Sequence, residues 1–597
     1  MPRKLAILFV FFFAVLLALY GHALTFDFVT LDDGILIYQN PAAQGFSWEN
    51  LVRAFTTYDP ELYIPLTLLT YQLDYAIGGT SPVIYHLSNL LWHTGNGVMV
   101  AVLVWLLLRS LGERGFFLGV SSGACPLIAI FCGLLFLVHP INTEAAVWAS
   151  ARKDLVSLFF FLLSLVMYIR YVAAESGKLE AGGIHYAMSI AAFGLALLAK
   201  VSAVMLPVIL VLIDWYTGQR FDKRFMKNKI PYLILAVIFG IVAIYGKAGG
   251  RTASPLLGIA SIFFSLRKYF FPRDLSVGYP FTGDITLVSP AFILPFLGVL
   301  AVCVFIGFCF RRKWNAPVFG LLFFLVTIIP SLFNLSKGLV NYLGADRYVY
   351  LPQVGLVFVI GWSLTRVMNG VPALFVSGVA VATLVSLSTM ARAQSFTWRD
   401  SEALYTNVLR LYPGEVGARV NLGNTYRRQG KLQDALRAYE EAIRIREDPR
   451  AFYNWGVVLE DLGRTGEAIA AYERAVALDP AYAIAFVNLG KSYFASGRKE
   501  EALAAFRAAV ERKPDFSLAH FNLGYVYAER GDFSLAAAEY RTATELDPHY
   551  VDARVNLVLA LVRAGERAEA QEHADRLLRE HPDHEMVRRL RSVLLGR

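Results

Sequence analysis

The sequence predicts an all-α protein in two parts, a polytopic transmembrane helical bundle of about eleven spans followed by an α-solenoid of short repeats. Three observations lead there. Hydrophobic residues make up 56% of the 597 and charged ones 17%, with a mean hydropathy of +0.48, whereas soluble domains carry about 25% charge. Apolar runs long enough to cross a ~30 Å hydrocarbon core fill the first two thirds and stop near residue 390. From about residue 400 the composition shifts to Ala, Glu, Arg, Leu and Tyr, and a fixed period appears.

The predicted spans are 5–21, 84–108, 116–138, 155–173, 186–199, 201–216, 231–248, 289–310, 316–334, 351–368 and 372–390. The first follows Arg3 and Lys4 without a clean small-x-small cleavage site, so it reads as an uncleaved anchor with its N-terminus inside. Alternating from there, the inside loops hold Arg109 and Arg114; Arg170 and Lys178; Arg220, Lys223, Arg224, Lys227 and Lys229; Arg311, Arg312 and Lys313; and Arg366. Cytoplasmic loops concentrate Lys and Arg, which also accounts for the net charge of +9 without nucleic acid. The segment 255–271 carries Arg267 and Lys268 and would invert this pattern if it crossed, so it is laid in the outer interface as an amphipathic or re-entrant helix.

Eleven spans leave everything after residue 390 outside. The expected setting is an integral membrane protein of a bacterial inner (plasma) membrane, with its N-terminus cytoplasmic and its C-terminal part extracytoplasmic, that is periplasmic. Cys125, Cys132, Cys303 and Cys309 lie in apolar stretches without paired spacing and read as small buried hydrophobes.

The triplet Asn-(Leu/Trp)-Gly begins at Asn421, Asn454, Asn488 and Asn522, with Asn-Leu-Val at Asn556, at intervals of 33, 34, 34 and 34. Nine residues after each Asn comes a glycine (Gly430, Gly463, Gly497, Gly531, Gly565), and five further an alanine (Ala435, Ala468, Ala502, Ala536, Ala570). This is the tetratricopeptide signature: the glycines allow the tight turn between two helices and the alanines their close approach. The domains predicted are therefore a membrane domain 1–390, a connecting helix 391–415, five repeats over 416–582 and a capping helix 583–597.

Ionisable residues collect on the predicted outer side. The first outer loop has Asp27, Asp32 and Asp33; the second has His139, Glu144, Arg152, Lys153 and Asp154; Lys200 stands in a turn; Arg267, Lys268, Arg273, Lys337, Asp346 and Arg347 follow. Adjacent carboxylates at a bilayer surface provide a general base for an incoming hydroxyl, since like charge and partial burial raise one pKa. Arg and Lys at the same level stabilise charge on a leaving phosphate. A lipid-linked phosphosugar donor needs that combination, because its tail stays in the bilayer while its head meets water.

The chain resembles the transmembrane and tetratricopeptide repeat containing (TMTC-like) proteins, a group related to protein O-mannosyltransferases and other polyprenyl-phosphate-sugar-dependent transferases of the GT-C fold. The matching pieces run through LDDGILIYQNP (31–41), YIPLTLLTYQLDYAIGG (63–79), YHLSNLLWH (85–93), HPINTEAAVWASARKDLVSLFFFLLSL (139–165), LLAKVSAVMLPVILVLIDWY (197–216), FFPRDLSVGYP (270–280) and ADRYVYLP (345–352), then the repeats. The resemblance implies inverting transfer of a sugar, mannose or a similar hexose, from a polyprenyl-phosphate carrier to a hydroxyl of a protein.

Carried over by residue, Asp32 or Asp33 is the catalytic base and the other positions the acceptor or a metal. Arg152, Lys200 and Arg347 bind the donor phosphate, and Glu144, Lys153 and His139 are further active-site candidates. Animal members carry Glu where this chain has Val201, so no acid transfers there. No cofactor is implied with certainty, and a divalent metal ion stays open. His139, His86 and His93 fall in the matching pieces too, but a lone histidine near a helix end is more often a structural hydrogen-bonding residue than a ligand.

Asn421, Asn454, Asn488, Asn522 and Asn556 recur once per repeat. Such a ladder, similar to that of the nucleocytoplasmic O-linked N-acetylglucosamine transferase's repeats, can hold the backbone of an extended acceptor peptide; equally, each Asn can satisfy its own turn. The rival to the transferase is a non-enzymatic membrane-anchored scaffold whose repeats gather envelope proteins. A transporter is a second rival, disfavoured because few ionisable residues fall within the spans.

Overall fold

The computed structural model describes residues 2–58, 63–112, 124–175, 182–219, 227–245, 254–281, 285–337, 340–582 and 584–594. Arg114, Lys178, Arg220, Lys223, Arg224 and the start of the 116–138 span lie outside them, as does the side chain of Lys337. The chain forms two compact units, Met1–Pro413 and Gly414–Arg597.

Over the described residues, which leave out the end of the 231–248 span as well, every predicted span of the first unit coincides with a helix. Among the described residues seven helices are long and apolar enough to cross a membrane, from Arg3–Thr25 to Ala373–Trp398. The third span is instead a bent pair, Ala124–Val138 and Pro140–Val147, turned by 53°. Pro140 has no backbone N–H to continue the helix and disfavours helical geometry at His139, so the chain breaks there. Val201–Thr217, Ile230–Tyr245 and Gln353–Val367 are shorter apolar helices.

Two helices identify the solvent. Pro290–Arg311 leaves Leu294, Leu297, Val304 and Phe305 uncovered, and Ala373–Ser395 leaves Leu374, Phe375, Val379 and Val385 uncovered. In water such stripes would lose about 25 cal/mol per Å²; against lipid tails they lose nothing. Without a hydrophobic drive between helices, close backbone contact has to hold the bundle, and small residues permit it. The helices Asn315–Leu332 and Gln353–Val367 meet at Gly320 and Gly355, where a Cβ on either would lie within 2.5 Å of the other's carbonyl oxygen.

The segment expected at the outer interface is one 16-residue helix, Pro255–Phe270, capped by the Ser254 hydroxyl and ending on Arg267 and Lys268. A small sheet follows, with Val340–Tyr342 between Pro280–Phe281 and Ser336–Lys337. It ties the 272–281 loop to the segment before Asp346.

The expected connecting helix 391–415 takes a different form. The last membrane helix itself continues to Ser395, a 3-10 turn covers Phe396–Trp398, and Ser401–Leu411 starts on an Asp400 cap. This segment folds back on the loop after the first membrane helix: Asp27 N donates to the Arg399 carbonyl (3.0 Å) and Thr30 N to Ser401 Oγ (2.9 Å). Trp398 stacks on Trp148, with ring centroids 5.4 Å apart.

The second unit consists of five helix pairs, from Val416–Arg428 to Arg567–Glu580, and the terminal helix Glu585–Leu594. The turn glycines Gly430, Gly463, Gly497, Gly531 and Gly565 have φ between 73° and 87°, the left-handed region that L side chains avoid. Within each of the first four pairs a second glycine admits a ring. A Cβ on Gly423, Gly456, Gly490 or Gly524 would lie 2.5 to 3.0 Å from Tyr439, Tyr472, Phe506 or Tyr540. In the fifth pair Val558 stands in the glycine place and Ala574 in the ring place, both buried, so volume is exchanged across the same contact. Val587 and Leu590 of the last helix cover the open end of the core.

Gly490→Val is therefore expected to destabilise the repeat unit by about 1–3 kcal/mol through overpacking. Adding Phe506→Ala should recover a substantial part by copying the fifth pair. Thermal unfolding of the single and double variants checks this, and a double variant no more stable than Gly490→Val alone would contradict the exchange.

Candidate active site

After the first membrane helix the chain passes a 3-10 turn, Gly21–Thr25, and bends at 30–33 before the short helical turn Gly34–Tyr38. The two neighbouring carboxylates of that bend part company. Asp33 is buried, its Oδ2 accepting Val29 N (2.8 Å) and its Oδ1 accepting Ser150 N (3.0 Å) and Ser150 Oγ (2.5 Å). Burial pushes its pKa up to about 7 against the pull of those three donors, and the Asp32 carboxylate adds a smaller upward push. Asp32 keeps one third of its side chain exposed and faces Lys153 Nζ at 3.8 Å.

Around Asp32 the fold gathers charges from four segments. Lys153 starts the helix Arg152–Glu175 and lies over the Trp148 ring at 5.6 Å. Asp154, next in sequence, accepts Lys200 Nζ at 2.5 Å from the break between two membrane helices. Glu144, in the short helix after the bend, receives Arg347 through its guanidinium and its backbone N–H, the latter at 3.0 Å. Arg347 also covers Trp148 at 5.2 Å. Three carboxylates and three cations thus meet beside one indole. The Trp148 Nε1 and Asp154 Oδ2 atoms are buried without a protein hydrogen-bond partner.

Asp346 points the other way, accepting the Tyr279 hydroxyl at 2.5 Å. Burial, reinforced by Glu144, pushes its pKa well up.

Arg152, expected on the donor phosphate, is elsewhere. Its guanidinium is fully buried, pairs with Asp74 Oδ2 at 2.8 Å, donates to the Tyr85 carbonyl at 2.8 Å and to Asn89 Oδ1, and lies over the Tyr71 ring. It is enclosed by protein donors and acceptors and does not face the cluster around Asp32. A sequence signal existed for this pair: Asp74 sits alone in an otherwise uncharged helix, and an isolated buried acid requires a cation.

His139 is also enclosed. Its Nδ1 accepts Ile141 N at 3.3 Å, its Nε2 lies 2.9 Å from the Tyr269 carbonyl, and its ring stacks on Tyr269 at 4.5 Å. It borders an apolar groove of about 390 Å³ formed with Leu135, Ile360, Leu364, Phe375 and Val379. His86 and His93 make structural bonds to Val147 O and to Tyr350 and Leu137 O. Among the described residues no three His, Cys, Asp or Glu side chains converge as a metal site.

The asparagines of the repeats share one helical position, but their environments differ. Asn488 donates to the Tyr453 hydroxyl of the preceding repeat at 3.2 Å, and buried Asn522 donates to its own helix at Leu518 O. Asn421, Asn454 and Asn556 are half-buried.

The tetratricopeptide-repeat family profiles match residues 391–452, 421–483, 453–515 and 487–551, and a second one matches 527–594. The match begins before the first predicted repeat. Pro413 stands eight residues ahead of Asn421, in the register that Pro480, Pro514 and Pro548 hold to Asn488, Asn522 and Asn556. Along most of its length the chain is similar to proteins named protein O-mannosyl-transferase. It is 24% identical to F38B6.6 of Caenorhabditis elegans over 76% of this chain and 60% of that one. With TMTC3 of Homo sapiens the identity is 23% over 70% and 48%, and with TMTC2 of Mus musculus 30% over 28% and 18%. The chain spans about half to three fifths of the length of the first two. Among solved structures, YrrB, a TPR protein with an unusual peptide-binding site, is 23% identical over 32% of this chain and 97% of that chain, with a TM-score of 0.28. PilW, a type IV pilus biogenesis factor, is 21% identical over 36% and 97%, with a TM-score of 0.29.

Two outcomes follow from the buried carboxylates. Arg152→Met leaves Asp74 charged and unpaired and should cost about 3–5 kcal/mol of stability, whereas Arg152→Met with Asp74→Asn should recover much of it; denaturant unfolding in detergent measures both. For Asp33 the folded pKa lies above the unfolded value, so its contribution is full below the ordinary Asp range and is lost as pH rises through about 7. Wild-type Tm should fall by a few degrees between about pH 5.5 and about pH 8.5, and Asp33→Asn should flatten that slope. Parallel slopes in the two proteins would refute the assignment.

Proposed function

We propose that this protein is an integral membrane glycosyltransferase that moves a hexose such as mannose from a polyprenyl-phosphate carrier to a hydroxyl of a protein acceptor on the extracytoplasmic side. The observation that carries the reading is the partly exposed Asp32 carboxylate facing Lys153, with the Lys200–Asp154 and Arg347–Glu144 pairs on the neighbouring segments, in a protein whose peripheral helices are matched to lipid. The names of its relatives support the same class.

Access divides the roles. Asp32 is the base, because an acceptor can reach it, and Asp33 is the positioning residue that holds the bend against Ser150. The acceptor hydroxyl gives its proton to Asp32 as its oxygen bonds to the anomeric carbon. The bond from that carbon to the phosphate oxygen breaks, and its electron pair leaves with the phosphate. Lys153 and Lys200, with Arg347 beside them, neutralise the departing charge; Lys153 thus takes the place expected for Arg152. The groove bordered by His139 and Tyr269 suits the carrier's hydrocarbon tail, since its lining is almost entirely apolar. The repeats recruit the acceptor, with the Asn421 to Asn556 face and the tyrosines beside it, such as Tyr453, as the contact surface.

Transfer of labelled sugar from polyprenyl-phosphate donors to peptide by the purified protein tests this. Asp32→Asn should lower kcat about 10²- to 10⁴-fold with its fold retained. Lys153→Met should also slow transfer, and removal of residues 414–597 should raise KM for the acceptor more than it changes kcat. Equal transfer by wild type and Asp32→Asn would remove Asp32 from the chemistry, and no transfer from any donor would favour the scaffold.

A further inference from the structure

The first outer loop contains a second element with no part in the ionic cluster. The helix Trp48–Thr56 starts on a Ser47 cap, with Asn50 N donating to Ser47 Oγ at 3.0 Å. At about 100° per residue its nine residues divide into three faces. Asn50, Leu51 and Ala54 turn inward: Ala54 is buried, and Asn50 donates to the Gln44 and Gly45 carbonyls. Thr56, Glu49 and Arg53 form a polar face, with Arg53 and Glu49 paired at 2.6 Å. Between these, Trp48, Val52 and Phe55 occupy an arc of about 60° and are left uncovered, Trp48 at 78% exposure, with Phe46 beside them.

The height of this helix follows from its C-terminal side. Just past it, the Tyr58 hydroxyl donates to the Val242 carbonyl at 2.9 Å, in the last turn of the apolar helix Ile230–Tyr245. Tyr63 packs on Phe239 of the same helix, with ring centroids 6.3 Å apart. That last turn exposes Ile241, Ile244 and Tyr245, so the bare face of Trp48–Thr56 begins where a lipid-facing surface ends. Trp and Phe on one side of an amphipathic helix at that level have the composition of an interfacial segment.

We propose that Trp48–Thr56 lies in the plane of the membrane and inserts Trp48, Val52 and Phe55 into the outer leaflet, as a lipid anchor for the loop that carries Asp32 and Asp33. Its inner face transmits the anchoring. Ala54 shares one core cluster with Leu36, Ile37, Tyr71, Tyr85 and Ala149, and Ala149 adjoins the Ser150 that holds Asp33. The anchor therefore sets the depth of the acidic bend relative to the bilayer surface. This depends on the membrane assignment and not on the transfer reaction.

Tryptophan quenching in nanodiscs tests it, with phosphatidylcholine brominated near the glycerol end of its acyl chains as the lipid probe and iodide as the aqueous one. Trp48→Ser should remove a component of the fluorescence that brominated lipid quenches and iodide does not. Phe55→Trp should add a lipid-quenched component, and Glu49→Trp an iodide-quenched one, which covers the case in which Trp48→Ser does not fold. If removing Trp48 abolishes an iodide-quenched component, or if Phe55→Trp and Glu49→Trp are both quenched by iodide alone, the anchor is overturned.

Discussion

A carboxylate taken out of water must be hydrogen-bonded by the protein or be lost, and Asp33 obeys that constraint by accepting from Val29 and twice from Ser150. Those bonds tie the loop after the first membrane helix to the turn before the helix Arg152–Glu175. They place the bend at 30–33 against the start of the helix Arg152–Glu175, so that Asp32 meets Lys153. Trp148, two residues before Ser150, then becomes the surface on which Lys153, Arg347 and Trp398 converge. Removing the clasp would free the bend from the Lys153 that Asp32 faces.

Three consecutive charges show how a helix start distributes chemistry. Side chains at successive positions leave a helix about 100° apart, and Arg152, Lys153 and Asp154 use that separation fully. Arg152 goes to Asp74, Lys153 to Asp32 and Asp154 to Lys200. The first pair, with both side chains at most 3% exposed, holds the structure together. In the other two, Lys153 and Asp154 are buried while their partners Asp32 and Lys200 stay partly exposed. Residues adjacent in sequence therefore serve different purposes, which no spacing pattern announces.

Much of the architecture was legible because its signals are periodic or compositional. Apolar runs located the helices, and a 34-residue period located the repeats, down to the glycines with positive φ. The exchange of glycine and ring for Val558 and Ala574 was in the sequence too, but its meaning needed the contact. The fold-back of residues 396–401 was not legible, because hydrogen bonds from Asp27 and Thr30 to residues more than 370 positions away leave no local mark. The fold brings Asp32, Glu144, Lys153, Lys200 and Arg347 near one another, but nothing local separates Asp32 from Asp33 or Arg152 from Lys153, because each pair is adjacent and alike in sequence.

The sequence by itself determined the solvent of each part, the helices and the repeat, since hydropathy and periodicity are local properties of the chain. It also determined which charges had to find partners, because an ion in an apolar setting cannot stand alone. Only the tertiary structure decided which partner each one took. Burial made Asp33 a clasp and left Asp32 accessible, enclosed Arg152 with Asp74, and brought Glu144 to Arg347 across 203 positions. Desolvation and hydrogen-bond geometry depend on what packs above a side chain, and that is a property of the fold.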